Sequence, residues 1–115
     1  MSNQVVISGT GLWIPKHTLT NEELVECYNQ HVDQFNSQHA SDITAGSVTE
    51  KAYSSAAFIE KASGIKSRYI YAKKGVLDLD RMRPDIPKRA NDELSDQAEI
   101  AINAAKEVML SLIHI

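Results

Sequence analysis

V-V-I-S-G-T-G-L-W-I-P, residues 5–15, puts a β-branched apolar run immediately ahead of Gly9 and Gly11. Valine and isoleucine favour a pleated surface, and a short apolar run that ends at glycine has the pattern of a strand covered on both faces. Residues 4–10 are therefore expected to form a first strand. Residues 12–20 carry Trp13, Ile14 and Pro15 with no usable period, and read as a loop with apolar anchors.

Outward from this run, Thr20-Asn21-Glu22-Glu23 has the form of a capping box, in which the threonine oxygen accepts an N–H bond and Glu23 reaches back. A helix is expected to start there. Leu24, Tyr28, Val32 and Phe35 would form its apolar face, opposite Glu22, Glu26, Asn29 and Asp33. Residues 36–50 are polar, with Gly46 as a breaker, and fit either a frayed helix or a surface loop. Residues 51–62 are expected to form a second helix, ended by Gly64 in the left-handed region, and residues 65–71 a strand.

Gly75, Pro84, Pro87 and dense charge make residues 72–91 irregular. Beyond them, Leu94, Ala98, Ala101, Ile102, Ala105, Val108 and Met109 make a helical stripe, with Asn91 or Asp92 as the expected cap. Its small alanines fit close packing against a sheet. Strands alternating with helices place the chain in the α/β class.

At 115 residues, 43% hydrophobic and 23% charged, the chain has the composition of a folded domain. A net charge of −3 leaves no basic footprint for nucleic acid. No apolar run reaches membrane-spanning length and the start lacks a secretory pattern, so a cytoplasmic location is expected. Cys27 is the single cysteine, which excludes an internal disulfide and a multi-thiolate zinc site.

Several local patterns fail as sites. Gly9-Thr10-Gly11 lacks the third glycine of a dinucleotide loop, because Ile14 stands there, and a tight strand exit is the expected role. Cys27 and His31 are four apart but have no second ligand pair, and Cys27 lies among Glu23 and Glu26, which disfavours a thiolate nucleophile. Asp78, Asp80 and Asp85 begin like a calcium loop, yet Arg83 and Arg89 occupy the glycine and glutamate positions. No metal site is expected. Lys61, Lys66 and Arg68 flank Gly64 near Phe58, which would bring cations and an aromatic face toward a nucleotide or phosphate.

Taken together, V-V-I-S-G-T-G-L-W-I-P, T-N-E-E-L-V and F-I-E-K-A-S-G-I-K-S-R-Y-I resemble, in order and spacing, the N-terminal region of ketoacyl-acyl carrier protein synthase III. The resemblance covers nearly all of residues 4–109 and is nearest the beta-ketodecanoyl-acyl carrier protein synthase subgroup, which has an extended stretch before the S-G-I block. It implies the N-terminal part of a thiolase-like fold, a layered α-β-α-β-α arrangement that is incomplete here. It also implies an acyltransferase of fatty-acid biosynthesis that moves an acyl group, medium-chain in this subgroup, from coenzyme A to a cysteine and condenses it with malonyl-acyl carrier protein. The family's catalytic cysteine, histidine and asparagine lie beyond Met109, so no catalytic residue is assigned and this chain alone is expected to be inactive.

Coenzyme A enters such a reaction as a thioester substrate, so no resident cofactor is implied, and the whole-length enzyme is implied to be a homodimer. Phe58 matches a tryptophan that stacks on the coenzyme A adenine in many members, and Arg68 matches a recurrent arginine. Both are the expected coenzyme A contacts. Ala62 stands where those members carry an arginine, so one cation is missing. Residues 1–109 are read as the synthase portion. Residues 110–115, whose codons can be written to resemble a transposase adapter end, are read as a non-native tail. The competing readings are a stand-alone α/β binding or interaction module and, weakened by Ile14, a Rossmann-type domain.

Overall fold

The computed structural model describes residues 3–113. The chain divides into two units, one of residues 15–86 and one built from the segment up to Ile14 together with residues from Pro87 onward. Helices and strands are mixed, in keeping with the α/β class. No helix among the described residues is long and apolar enough to cross a membrane.

The first unit holds β1 (His17–Thr20), α1 (Asn21–Gln38), α2 (Ala40–Ala45), α3 (Ala56–Ser63) and β2 (Ser67–Ile70). β1 and β2 pair antiparallel, with His17 opposite Ile70 and Thr20 opposite Ser67. Leu19 points inward and is buried, whereas Thr18 is exposed, as the two-residue period of a strand requires. Thr20 closes β1 and caps α1. Its hydroxyl accepts from the Glu23 N–H at 3.2 Å, and the Glu23 carboxylate accepts from the Thr20 N–H at 2.9 Å. This is the capping box read from the sequence.

Cys27 and Val32 carry the buried side of α1. Asn21 is buried with them and is tied on three sides. Its backbone N–H donates to the Lys66 carbonyl at 3.1 Å, its side-chain amide donates to the Ile65 carbonyl, and its oxygen accepts from Arg68 Nη2 at 2.8 Å. A polar residue is tolerated there because its amide nitrogen and its amide oxygen each have a hydrogen-bond partner. The polar stretch after α1 resolves into α2, which Gly46 ends at φ 80°, and Gly64 ends α3 at φ 73°. Both glycines hold the left-handed conformation that other residues adopt only with strain.

The second unit is α4 (Asp96–Ile113) with the extended segment that ends at Ile14. Gly11 lies against the helix backbone. A Cβ there would sit 2.7 Å from Val108 Cγ2 and closer still to the Ala104 carbonyl oxygen. Its role is therefore close approach rather than phosphate cradling. Arg89 fixes the start of α4, pairing with Asp96 at 2.9 Å and Glu99 at 2.6 Å and donating to the Leu94 carbonyl.

Four expectations are corrected. Residues 4–10 are not a strand: Val5, Val6 and Ile7 are exposed and no ladder forms along them, because a strand exists only as half of a pair. Residues 17–20, read as loop, are β1. The second helix begins at Ala56, not at residue 51, since Ser55 is its extended cap and residues 51–54 belong to no helix. The cap of α4 is Ser95, whose hydroxyl accepts from the Ala98 N–H at 3.2 Å, rather than Asn91 or Asp92. Residues 110–113 continue α4, and His114 and Ile115 lie outside the described residues.

Leu94, expected on the stripe, lies before α4, and it is exposed together with Ile102 and Met109 of the helix. Val5, Val6, Ile7 and Leu12 in one unit, and Tyr53, Phe58 and Tyr69 in the other, are exposed as well, so among the described residues each unit leaves large apolar side chains uncovered.

Candidate functional site: an apolar cleft rimmed by Phe58

A cleft of about 780 Å³ opens in the first unit. Leu24, Cys27 and Tyr28 of α1 form one wall, Tyr53 and Ser54 of the extended stretch another, and Phe58 and Ile59 of α3 a third. Val76 and Met82 close it from the irregular segment. Its volume is in the range that holds a substantial part of a small-molecule ligand. Phe58 stands on its rim with 66% of its surface free, an aromatic face open for stacking.

The ring gets its position from the residues before α3. Ser55 caps the helix by accepting from the Phe58 N–H at 3.1 Å. Ser54 is gripped by Asn29, whose amide oxygen accepts from the Ser54 N–H at 2.9 Å and whose amide group donates to the Ser54 carbonyl at 3.1 Å. Asn36 grips Lys51 in the same way, with both bonds at 3.0 Å. The Lys51 ammonium lies 4.2 Å from the Phe35 ring centroid and 3.1 Å from His31 Nε2. Neither asparagine is legible as a positioning residue, because Asn29 reads as part of the polar side of an amphipathic helix and Asn36 as part of the polar stretch 36–50.

Arg68 does not line the cleft that Phe58 rims. It points to Asn21, and its Nη1 is enclosed with no hydrogen-bond partner among the described residues. Lys66 pairs with Glu60 at 3.6 Å on the surface, a weak exposed contact. Ala62 lies on α3 and supplies no charge.

Two groups that line the cleft, Cys27 and Tyr53, are shifted from their ordinary values. Burial, reinforced by the negative charge of Asp78, pushes the Cys27 thiol up, which keeps it protonated and unreactive near neutral pH. Tyr53 donates its hydroxyl to Asp33, and that bond raises its phenol. Asp85 pairs with Arg81 at 3.2 Å and with Lys74 at 3.5 Å, and Asp78 accepts from the Asp80 N–H. Among the described residues, no three His, Cys, Asp or Glu side chains converge as a ligand set.

Glu23 links the cap to the irregular segment through Lys73 at 2.7 Å. The Lys73 hydrogen bond, followed by the Thr20 N–H, lowers its carboxyl below the ordinary 4.5. A depressed carboxyl contributes stability that is complete above 4.5 and is lost as the pH falls through its lower folded value. The Thr20 amide proton is therefore expected to move in its NMR shift only in that acid range, and Glu23→Gln to abolish the transition. A Thr20 shift that titrates unchanged in the Gln variant would contradict the coupling.

Comparison with characterised proteins gives one informative relative. Over 85 residues the chain is 51% identical to the beta-ketodecanoyl-[acyl-carrier-protein] synthase of Pseudomonas aeruginosa. The match takes in 74% of this chain and 24% of the relative, so the chain spans about a quarter of the length of the protein it matches. No family model matches the chain.

Proposed function

From the premise that the chain belongs to the ketoacyl-acyl carrier protein synthase III family, we propose that it is the N-terminal portion of an acyltransferase that condenses a medium-chain acyl-CoA with malonyl-acyl carrier protein. The observation that carries the proposal is 51% identity across 85 residues, on a chain that holds the three sequence blocks in the family order. A ten-carbon ketoacyl product, as in the relative's name, requires an eight-carbon primer, since malonyl contributes two carbons after losing carbon dioxide. The balanced reaction joins the acyl carbonyl to the malonyl α-carbon, breaks the acyl thioester and the malonyl C–COO⁻ bond, and releases coenzyme A and carbon dioxide.

In this reading the open face of Phe58 takes the coenzyme A adenine, as stacking on an unhindered ring requires. Arg68 is kept as the second coenzyme A contact on the resemblance alone, since its Nη2 donates to Asn21 and it does not line the cleft. The extended 5–12 segment and the α4 stripe supply layers of a thiolase-like fold whose other layers come from the rest of a whole-length, homodimeric, cytoplasmic enzyme. Residues 110–115 are read as an adapter-derived tail. The exposed apolar side chains within each unit support this reading over a stand-alone interaction module, which would cover them with its own core.

The test is direct assay. The purified 115-residue chain, given octanoyl-CoA and malonyl-acyl carrier protein, is expected to release coenzyme A only at the buffer rate. The whole-length protein recovered by reading the locus past Met109 is expected to carry a cysteine, histidine and asparagine triad and to make the ten-carbon ketoacyl product. Turnover by the 115-mer, or a native stop after Ile115, would overturn the proposal.

A further inference from the structure

Asn29 and Asn36 lie seven residues apart on α1, two turns along one side of the helix, and each binds both the N–H and the C=O of a single backbone residue. A primary amide carries the same donor and acceptor as a peptide group, so each pair closes a two-bond ring like that between paired strands. The order is inverted. Asn36 holds Lys51 and Asn29 holds Ser54, which lays the 51–54 stretch antiparallel along α1.

The clamp nearer the cleft leads straight to the aromatic rim. Ser54 is followed by Ser55, whose hydroxyl takes the Phe58 N–H and whose carbonyl takes the Ile59 N–H at 3.2 Å. α3 has only eight residues, too few to hold a direction through its own hydrogen bonds. Its orientation comes from packing against α1 and from its ends, and at the N-terminal end the fixed point is Ser54.

We propose that Asn29 is a positioning residue for coenzyme A, acting through Ser54 and the Ser55 cap to present the Phe58 ring. The inference rests on the assignment of Phe58 as the adenine-stacking face. Asn36 is the control within the same protein: it holds the far end of the stretch, where Lys51 has further contacts to Phe35 and His31, and it is remote from Phe58 in the chain of contacts.

The test uses the whole-length synthase, with coenzyme A binding measured by titration calorimetry and steady-state constants measured for both substrates. Asn29→Ala is expected to weaken coenzyme A binding about fivefold, a partial loss of a stacking contact whose full removal costs about tenfold. The KM for malonyl-acyl carrier protein and kcat at saturating acyl-CoA should hold. Asn29→Asp keeps the acceptor for the Ser54 N–H and should lose about twofold, and Asn36→Ala should stay near wild type. In a Phe58→Ala background, Asn29→Ala should add nothing. Wild-type coenzyme A affinity in both Asn29 variants, with Phe58→Ala impaired, overturns the positioning role and leaves the stacking assignment standing. Equal losses in kcat and in both KM values reduce Asn29 to general structure and overturn it too. Undiminished affinity in Phe58→Ala removes the stacking face itself, and the positioning role with it.

Discussion

Asn21→Ala is expected to raise amide exchange across the β1–β2 ladder by about two orders of magnitude in the whole-length protein, following a loss of about 3 kcal/mol. The alanine removes both side-chain bonds of a residue that is 2% exposed. The Ile65 carbonyl would then be left without that donor. The Arg68 guanidinium, whose Nη1 already lacks a partner among the described residues, would lose its Nη2 bond as well. Stranding a charged group in a protein interior is costly because water cannot return to it. The backbone bond from Asn21 to Lys66 survives the substitution, so the effect isolates the side chain. Exchange measured by mass spectrometry on peptides covering residues 17–24 and 65–71 reads it. Wild-type protection in those peptides would show that Asn21 does not join α1 to β2.

Phe58→Ala is expected to raise the dissociation constant for coenzyme A about tenfold, as loss of one base-stacking contact worth 1–3 kcal/mol implies, roughly. The ring is 66% exposed, so its truncation removes little packing and the fold should persist. This separates Phe58 from the Asn21 hub, where the expected loss is in stability. Phe58→Trp should bind at least as tightly as wild type, because the larger ring offers more stacking area. Titration calorimetry with coenzyme A and with a pantetheine thioester lacking adenine distinguishes the roles. The penalty should appear with the nucleotide and vanish without it, and an equal penalty for both ligands would remove adenine from the account.

What could be read in the chain beforehand follows from how far apart the interacting residues are. The Thr20 cap and the turns at Gly46 and Gly64 depend on neighbours within a few residues, and the structure places them as expected. The H-T-L-T segment of β1 reads as loop because it carries one apolar residue and its partner, with His17 opposite Ile70, comes much later in the chain. Residues 4–10 misled in the other direction, since β-branched composition states a preference but pairing needs a second strand. The alanines, Phe58 and Ile59 make residues 51–62 read as one helix, whereas two asparagines on α1 bind the backbone of Lys51 and Ser54 ahead of it. Phe58 was legible through the resemblance, and the structure puts it at the mouth of a cleft. Arg68 was legible as a residue but not as a contact of Asn21.

The central proposal is that this chain is a piece of a ketoacyl synthase III and that other parts of the whole-length enzyme cover its exposed apolar side chains. Urea unfolding of the isolated 115-residue chain, followed together by backbone circular dichroism, Trp13 fluorescence and binding of a hydrophobic dye, tests it most directly. The account predicts dye binding before any urea is added and broad transitions that do not coincide between probes. A single sharp transition shared by all probes, with no dye bound to the native chain, would contradict it.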